Sequence, residues 1–334
     1  KMGATLGNRV LFYCFAAKKE EAEVKMGEAL AFNDGCIGMV SFLDGDTVPA
    51  AAMCRTHVEF LHEHADVLCG STSLARVAVY RNFPSLAYNA REPHVQAILA
   101  EQTLLQHHIP FDMIFALAGA RGYDVLVIAG MECLSDGEVR AIRGYVRDGG
   151  RTVMIGNVGT CDAWRRLRPT SPFADDFRGR SGRAVIGRGD MIRLPALVLP
   201  SRAPAMEERA VWDNFYRVVD GRFWMLPSNV GALLAVFGRK AWAPVRVFDT
   251  NLSATSLVEP RLCADGRTRV VHIINYSPRE LGRRRWVSLP GLELGERAQQ
   301  LSPGAPPRSL KTRRVNGKTR IDFPNDQIYS LIRC

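Results

Sequence analysis

The 334 residues contain no Cys-x-x-Cys pair and no Cys/His spacing suited to a metal. The eight cysteines, Cys14, Cys36, Cys54, Cys69, Cys133, Cys161, Cys263 and Cys334, are scattered along the chain. That scatter argues against a disulfide framework or a zinc site, and it fits a reducing compartment such as the cytoplasm. No run of about 18 apolar residues occurs, so no membrane span is expected. His62-Glu63-His64 is not the His-Glu-x-x-His arrangement of a zinc hydrolase, and His57 and His64 stand seven apart. A P-loop lysine and a three-glycine dinucleotide fingerprint are both missing. Neither a cofactor nor a metal is therefore expected. KMGATLGNRVLFYCFAAKKEE holds a short apolar run, but no small-residue cleavage pattern follows it, so it reads as a buried strand rather than a leader.

Acidic residues are in deficit: 34 Asp and Glu against 44 Lys and Arg, a formal charge of +10. The excess is local. Residues 261–320 carry fourteen Lys and Arg against four Asp and Glu. No recognition helix, zinc finger or single-strand-binding signature accompanies them, so nucleic acid is not the expected partner. A solvated, arginine-rich β surface is the plain reading, and a polyanion partner is the alternative.

What is present is a chain of ordinary globular composition, 47% hydrophobic and 23% charged, with length for two or three domains. Residues 9–68 alternate β-α-β-α. RVLFYCF and CIGMVSF are continuous apolar strands; VPAAAMCRTHVEFLHEHADVL is a helix with His57, Phe60, Leu61, His64 and Leu68 on one face. Two βα units cannot cover themselves and need neighbours. Residues 74–160 alternate again through RVAVY, FDMIF, DVLVIAG and TVMIG, which predicts a parallel sheet covered on both faces. Pro93 opens a helix with Val95, Ile98, Leu99 and Leu105 inward. Ser135 and Glu138 make a capping box for a helix whose Val139, Ile142 and Val146 face the sheet and whose Arg140, Arg143 and Arg147 face water; Gly149-Gly150 ends it. GRSGRAVIGRGD is a hairpin, 207–245 holds helical pieces, and from 245 onward turn signals between short strands predict an antiparallel sandwich.

Cys133, in DVLVIAGMECLSD, ends a buried strand just before a helix. A nucleophile elbow needs a Gly-x-Cys-x-Gly turn. Here Gly130 lies three residues before and no glycine follows at +2. A connection is the plainer role, and a thiol hydrolase is the alternative, with His94, His107, His108 or His272 as bases that no motif positions. The turn Gly156-Asn157-Val158-Gly159 before Cys161 is a weak candidate for phosphate at a helix N-terminus, and more simply a tight turn before a helix from Asp162. Glu20-Glu21 and Asp175-Asp176 are adjacent pairs and read as surface charges rather than acid/base pairs. Asp34, Asp44 and Asp46 flank CIGMVSF. Asp44 and Asp46 fall in a loop at a strand's carboxyl end, where a (β/α) barrel keeps its function, so they are candidate sugar contacts, although Asp-Gly-Asp is also plain turn chemistry.

Taken in order, ARVAVYRNFPSLAYN, LLQHHIPFDMIF, YDVLVIAGMECLSDGEVRAIRGYVRDGGRTVMIGNVGTCDAWRRLRP and VVHIINYS resemble the C-terminal half of β-galactosidase-like glycoside hydrolases of the family-42 type. HVEFLHEHADVLCGSTSLARVAVY resembles the last barrel helix running into the β-galactosidase trimerisation domain. The resemblance implies three parts. Residues 1–72 would be the truncated end of a TIM barrel. Residues 73–244 would be a flavodoxin-like, class I glutamine-amidotransferase-like domain without amidotransferase activity. Residues 245–334 would be a C-terminal antiparallel β-sandwich. It further implies a carbohydrate substrate for the full-length protein, a homo-oligomer (a trimer, from the domain's name), and a connecting role for Cys133. The family's catalytic pair is two glutamates on the barrel. No residue here matches either one, since RVLFYCF holds no Glu and Glu20 and Glu21 lie in the helix after it. No catalytic residue is carried over, and the chain is expected to be either a fragment or a member without chemistry.

Overall fold

The computed structural model describes residues 1, 13–16, 19–42, 47–178, 182–201, 224, 226–239, 245, 247–289 and 297–334. The first helical piece expected in 207–245, at 208–223, lies outside the described residues.

The first described elements are β1 (Tyr13–Ala16) and β2 (Met39–Phe42), parallel neighbours joined by α1 (Lys19–Phe32). Then come α2 (Thr47–Glu63), α3 (Ala65–Leu68) and the short β3 (Thr72–Ser73). Two strands bury almost nothing alone. α1 solves this by being covered on two sides. Ala22 and Met26 pack with Ala16. Val24, Leu30 and Ala31 enter a second core with Phe60, Val67 and Leu68 of the following helices and with Leu257, Val270, Ile274, Leu301 and Leu331 from far along the chain. The neighbours that the two βα units require are thus partly the C-terminal strands. Gly27 records how close they come: a Cβ there would lie 3.0 Å from the Tyr329 ring. Glycine inside a helix costs about 1 kcal/mol relative to alanine, and here the approach of the ring favours it, since any Cβ would press on Tyr329.

A six-stranded sheet follows: β4 (Val77–Tyr80), β5 (Phe111–Ile114), β6 (Val125–Ala129), β7 (Arg151–Ile155), β8 (Arg183–Ile186) and β9 (Gly189–Leu194). Its order is β5-β4-β6-β7-β9-β8. All neighbours are parallel except β8, which forms the expected hairpin with β9. The strands are apolar on both faces because both are covered. After α4 (Phe83–Tyr88), α5 (Glu92–Gln106) lies on one face together with α7 (Val230–Phe237), and α6 (Asp136–Arg147) lies on the other. Leu99, Leu104, Leu233 and Phe237 meet Val79, Val127, Val153 and Ile192. Val139, Ile142 and Val146 meet Leu126, Ile128 and Met154, as their spacing predicts.

Two details differ from expectation. Ile98 is 39% exposed, and α5 turns Ala97, Leu99, Ala100 and Leu104 inward instead. Arg143 is not simply solvated; its guanidinium pairs with Asp176 at 2.9 Å and lies over the Phe173 ring.

The rest is antiparallel: β10 (Asp249–Thr250), β11 (Ser256–Leu262), β12 (Arg269–Asn275), β13 (Arg283–Leu289), β14 (Ala298–Ser302), β15 (Ala305–Val315), β16 (Lys318–Asn325) and β17 (Tyr329–Arg333). They form one nine-stranded sheet, β10-β13-β16-β15-β14-β17-β12-β11-β3, rather than the two separate sheets of a sandwich. The cause is β15. Its first half pairs with β14 and its second half with β16, so it belongs to both halves of a sheet that curls. Val258, Val271, Ile273 and Ile332 of one half share a core with Val287, Leu289, Ile321 and Phe323 of the other.

Candidate functional site

The chain enters the parallel sheet at β4, moves to β5 on one side, then crosses back to β6 on the other. Between the carboxyl ends of β4 and β6 the direction of winding reverses. In open α/β sheets this switch point is where ligands bind. The residues that meet there are Tyr80 at the end of β4 with Arg81 and Asn82 after it, and Gly130 to Ser135 after β6.

Local structure holds each in position. Asn82 caps α4, its Oδ1 accepting the Ser85 N–H at 3.2 Å. Its Nδ2 donates to the Cys133 carbonyl and, at 3.2 Å, to Glu138 Oε1. The Ser85 hydroxyl accepts the Cys133 N–H at 2.9 Å. Tyr80 donates its hydroxyl to Glu138, whose other oxygen takes the Ser135 N–H at 2.7 Å and the Ser135 hydroxyl at 2.6 Å. Burial pushes the Glu138 carboxyl up, but the hydrogen bonds from Ser135, Tyr80 and Asn82 outweigh it and hold the group below its ordinary value. Gly130 turns the chain at φ 68°, and a Cβ there would stand 2.7 Å from Gln96 Cβ, so α5 also excludes any side chain. Arg81 forms a two-pronged pair with Glu101, both bonds at 2.7 Å, with both side chains largely buried.

The crevice is therefore saturated by its own side chains. Cys133 is fully buried; burial, the Glu132 carboxylate and Cys161 push its thiol up to about 11. A nucleophile needs the thiolate, and this environment opposes it. No histidine appears among the hydrogen-bond partners of Cys133 or Ser85 in the described structure.

The turn before Cys161 is committed as well. The N–H groups of Gly156, Gly159 and Cys161 donate to the carbonyls of Leu194, Met131 and Glu132. No helix follows. Asp162 instead makes a turn, accepting the N–H groups of Trp164 and Arg166, each at 2.9 Å. A phosphate cradle at a helix N-terminus is thereby corrected to a strand extension.

The carboxylates have structural partners. Asp34, at φ 45°, accepts the Gly70 N–H. Asp175 pairs with Arg178, and Asp176 with Arg143. Glu21 is buried on α1. Asp44 and Asp46 lie outside the described residues. Among the described residues no group of His, Cys, Asp and Glu could hold a metal ion, and no helix is long and apolar enough to cross a membrane. The Asn82–Ser85–Glu138 network matches no catalytic motif in the sequence. Its signal was available in Asn82-Phe83-Pro84-Ser85, a cap followed by a helix-starting proline.

No protein-family model and no curated protein match the chain. Solved structures do. An α-L-fucosidase isoenzyme 2 from Paenibacillus thiaminolyticus aligns over 99% of this chain and 61% of its own, with TM-score 0.61 and 14% identity. A β-galactosidase from Bacillus circulans sp. alkalophilus aligns over 93% and 51%, with TM-score 0.61 and 11% identity. A catalytic mutant of a family-42 β-galactosidase from G. stearothermophilus aligns over 95% and 51%, with TM-score 0.56 and 12% identity. The chain thus has a fold found in glycoside hydrolases, an α/β sheet followed by a curled β sheet. It spans between half and two thirds of the length of these structures.

Proposed function

We propose that this chain is the C-terminal part of a β-galactosidase-like glycoside hydrolase of the family-42 type. The observation that carries this is coverage: almost all of the chain aligns with about half of each β-galactosidase structure. On this reading residues 1–72 are the end of a (β/α) barrel, 73–244 an amidotransferase-like oligomerisation domain, and 245–334 the terminal β domain. The parallel strand order, with the first strand flanked by the second and third, supports a flavodoxin-like middle domain. The buried Cys133 supports a domain without amidotransferase chemistry. Phe83, Tyr88, Trp164 and Leu167 expose large apolar side chains on the segments after β4 and β7, which supports a homo-oligomer, a trimer by the family's precedent. The substrate is a carbohydrate, the compartment the cytoplasm, and the two catalytic glutamates belong to barrel strands outside this chain. Asp44 and Asp46, following β2, are proposed sugar contacts.

The test is hydrolysis of chromogenic β-galactosides and α-L-fucosides by residues 1–334 and by the same chain extended through its upstream coding sequence. Hydrolysis by the extended chain alone is expected, with a raised KM in Asp44→Ala and Asp46→Ala. Turnover by residues 1–334, or none by the extended chain, overturns the proposal.

A further inference from the structure

The basic segment of the sequence folds into one surface. Strands β13, β16 and β15 lie side by side, and register decides which side chains share a face. Trp286 stands opposite Asp322, and Asp322 opposite Lys311; Ser288 stands opposite Arg320, and Arg320 opposite Arg313; Arg284 stands opposite Pro324. Val287, Ile321 and Phe323 point into the core between the halves of the sheet. The alternate set therefore faces outward, apart from Ser288, which is buried against Thr319 O. The set lines a cleft of about 750 Å³ that includes Arg284, Arg308, Lys311, Arg313, Arg320 and Asp322. A second cleft of about 360 Å³ continues past Trp286, Lys318 and the shared Arg320.

The charges in this cleft are not balanced. Asp322 alone takes both Arg313 and Arg320. Arg308 pairs with Asp326 and Lys318 with Asp249. Arg284 and Lys311 have no acidic partner among the described residues, and both are exposed. The Arg320 guanidinium lies 4.5 Å from the centre of the Trp286 ring, so the aromatic face is held within the cationic field. From Arg284 to Trp286 the strand advances roughly 7 Å, and the second cleft carries the face on to Lys318. At the Arg308 end a small cavity is lined by Gln300, Ser302, Arg308 and Asp326. Gln300 Oε1 and Asp326 Oδ1 are buried there without a hydrogen-bond partner among the described residues. The Gln300 amide nitrogen is fixed by Pro324 O and Ser330 Oγ, each at 3.0 Å, so its oxygen stays an open acceptor.

We propose that the outward face of β13, β16 and β15 binds an anionic glycan, one that bears sulfate or carboxylate groups. The unpaired Arg284 and Lys311 take the anionic groups, and the Trp286 ring takes the apolar face of a sugar. The choice of a glycan over another polyanion rests on the glycoside-hydrolase reading; the site itself does not.

The test is direct binding to residues 1–334 at low salt, with no turnover required. The probes are a sulfated tetrasaccharide, a uronic-acid tetrasaccharide, a neutral tetrasaccharide and a single-stranded oligonucleotide of matched charge. Binding of at least one anionic sugar and none of the neutral one is expected. The double variant Arg284→Gln/Lys311→Gln should weaken it about tenfold or more, since two charge-assisted contacts are lost. Trp286→Ala should weaken it further, while Arg267→Gln, on the distant turn at Asp265, should leave it unchanged. Acidification to about pH 3 separates the sources: uronate binding fades as the carboxyl protonates and sulfate binding persists. Full affinity in the double variant, equal affinity for the neutral sugar, or preference for the oligonucleotide overturns the proposal. Should Trp286→Ala fail to fold, the two exposed substitutions carry the test. Loss of this binding leaves the hydrolysis assay of the extended chain untouched, and the reverse holds, so the two readings fail separately.

Discussion

His272 is wholly buried in the middle of β12, with Nδ1 2.9 Å from the Tyr329 hydroxyl and Nε2 without a hydrogen-bond partner among the described residues. Burial, and then the nearby Arg261 charge, push its pKa down to about 3 from 6.5. The unfolded chain accepts that proton at the higher value and the native chain only at the lower. The contribution to stability is thus complete above pH 6.5 and is lost as pH falls towards 3. Glu259, opposite on β11, is pushed up by burial and titrates with the opposite sign, which a comparison of variants subtracts. In urea unfolding across pH 4 to 6, His272→Gln should flatten the acid limb by up to about 1.4 kcal/mol per pH unit. An unchanged limb would show that the imidazole does not resist protonation. Cys133 behaves as its neighbours in the sequence suggest. Without a glycine two positions on, the chain makes no elbow, and the thiol is packed away.

At the scale of elements, the cap and the buried face of α6 were readable, though not the pairing of Arg143 with Asp176. Ser135 and Glu138 do form the capping box, and Val139, Ile142 and Val146 do face the sheet. Ser135→Ala should cost about 1 kcal/mol by equilibrium unfolding, because it strips one N–H partner from the helix end. A loss well under half of that would mean Glu138 holds the end by itself. α5 was read less well for a physical reason. Ala97, Ile98, Leu99 and Ala100 are apolar in succession, so composition alone does not choose the buried side, and Ile98 came out exposed. The segment from Asp162 was misread because an aspartate that caps a helix and one that closes a turn make the same kind of bond to N–H groups ahead. The candidate pair Asp44 and Asp46 gains no support from the described residues. The switch-point network escaped notice because its members lie about 50 residues apart, as in Asn82 and Cys133.

For the whole molecule, the α/β alternation and the all-β ending were legible from strand and helix periods, whereas the curl was not. A strand's pattern tells which side is apolar, but not that β15 pairs with β14 over one half and β16 over the other. The docking of α1 on the terminal sheet was equally hidden, since nothing local announces a partner so distant. A chain ending at 248 should keep the six-stranded core but expose Val24, Leu30, Phe60 and Leu68. Bound hydrophobic dye and self-association in size-exclusion chromatography are expected, and a dye-silent monomer would mean that these residues find another cover.

The contact between Gly27 and Tyr329 also sets a timetable at the ribosome. Roughly 300 residues separate the two, which at about 5–20 residues per second means that α1 emerges some 15–60 s before the ring that seals it. The middle sheet has every strand it needs well before then. Helix α1 is accordingly among the last of the described helices to gain its full cover, since Tyr329 closes over it only when the chain is nearly complete to Cys334.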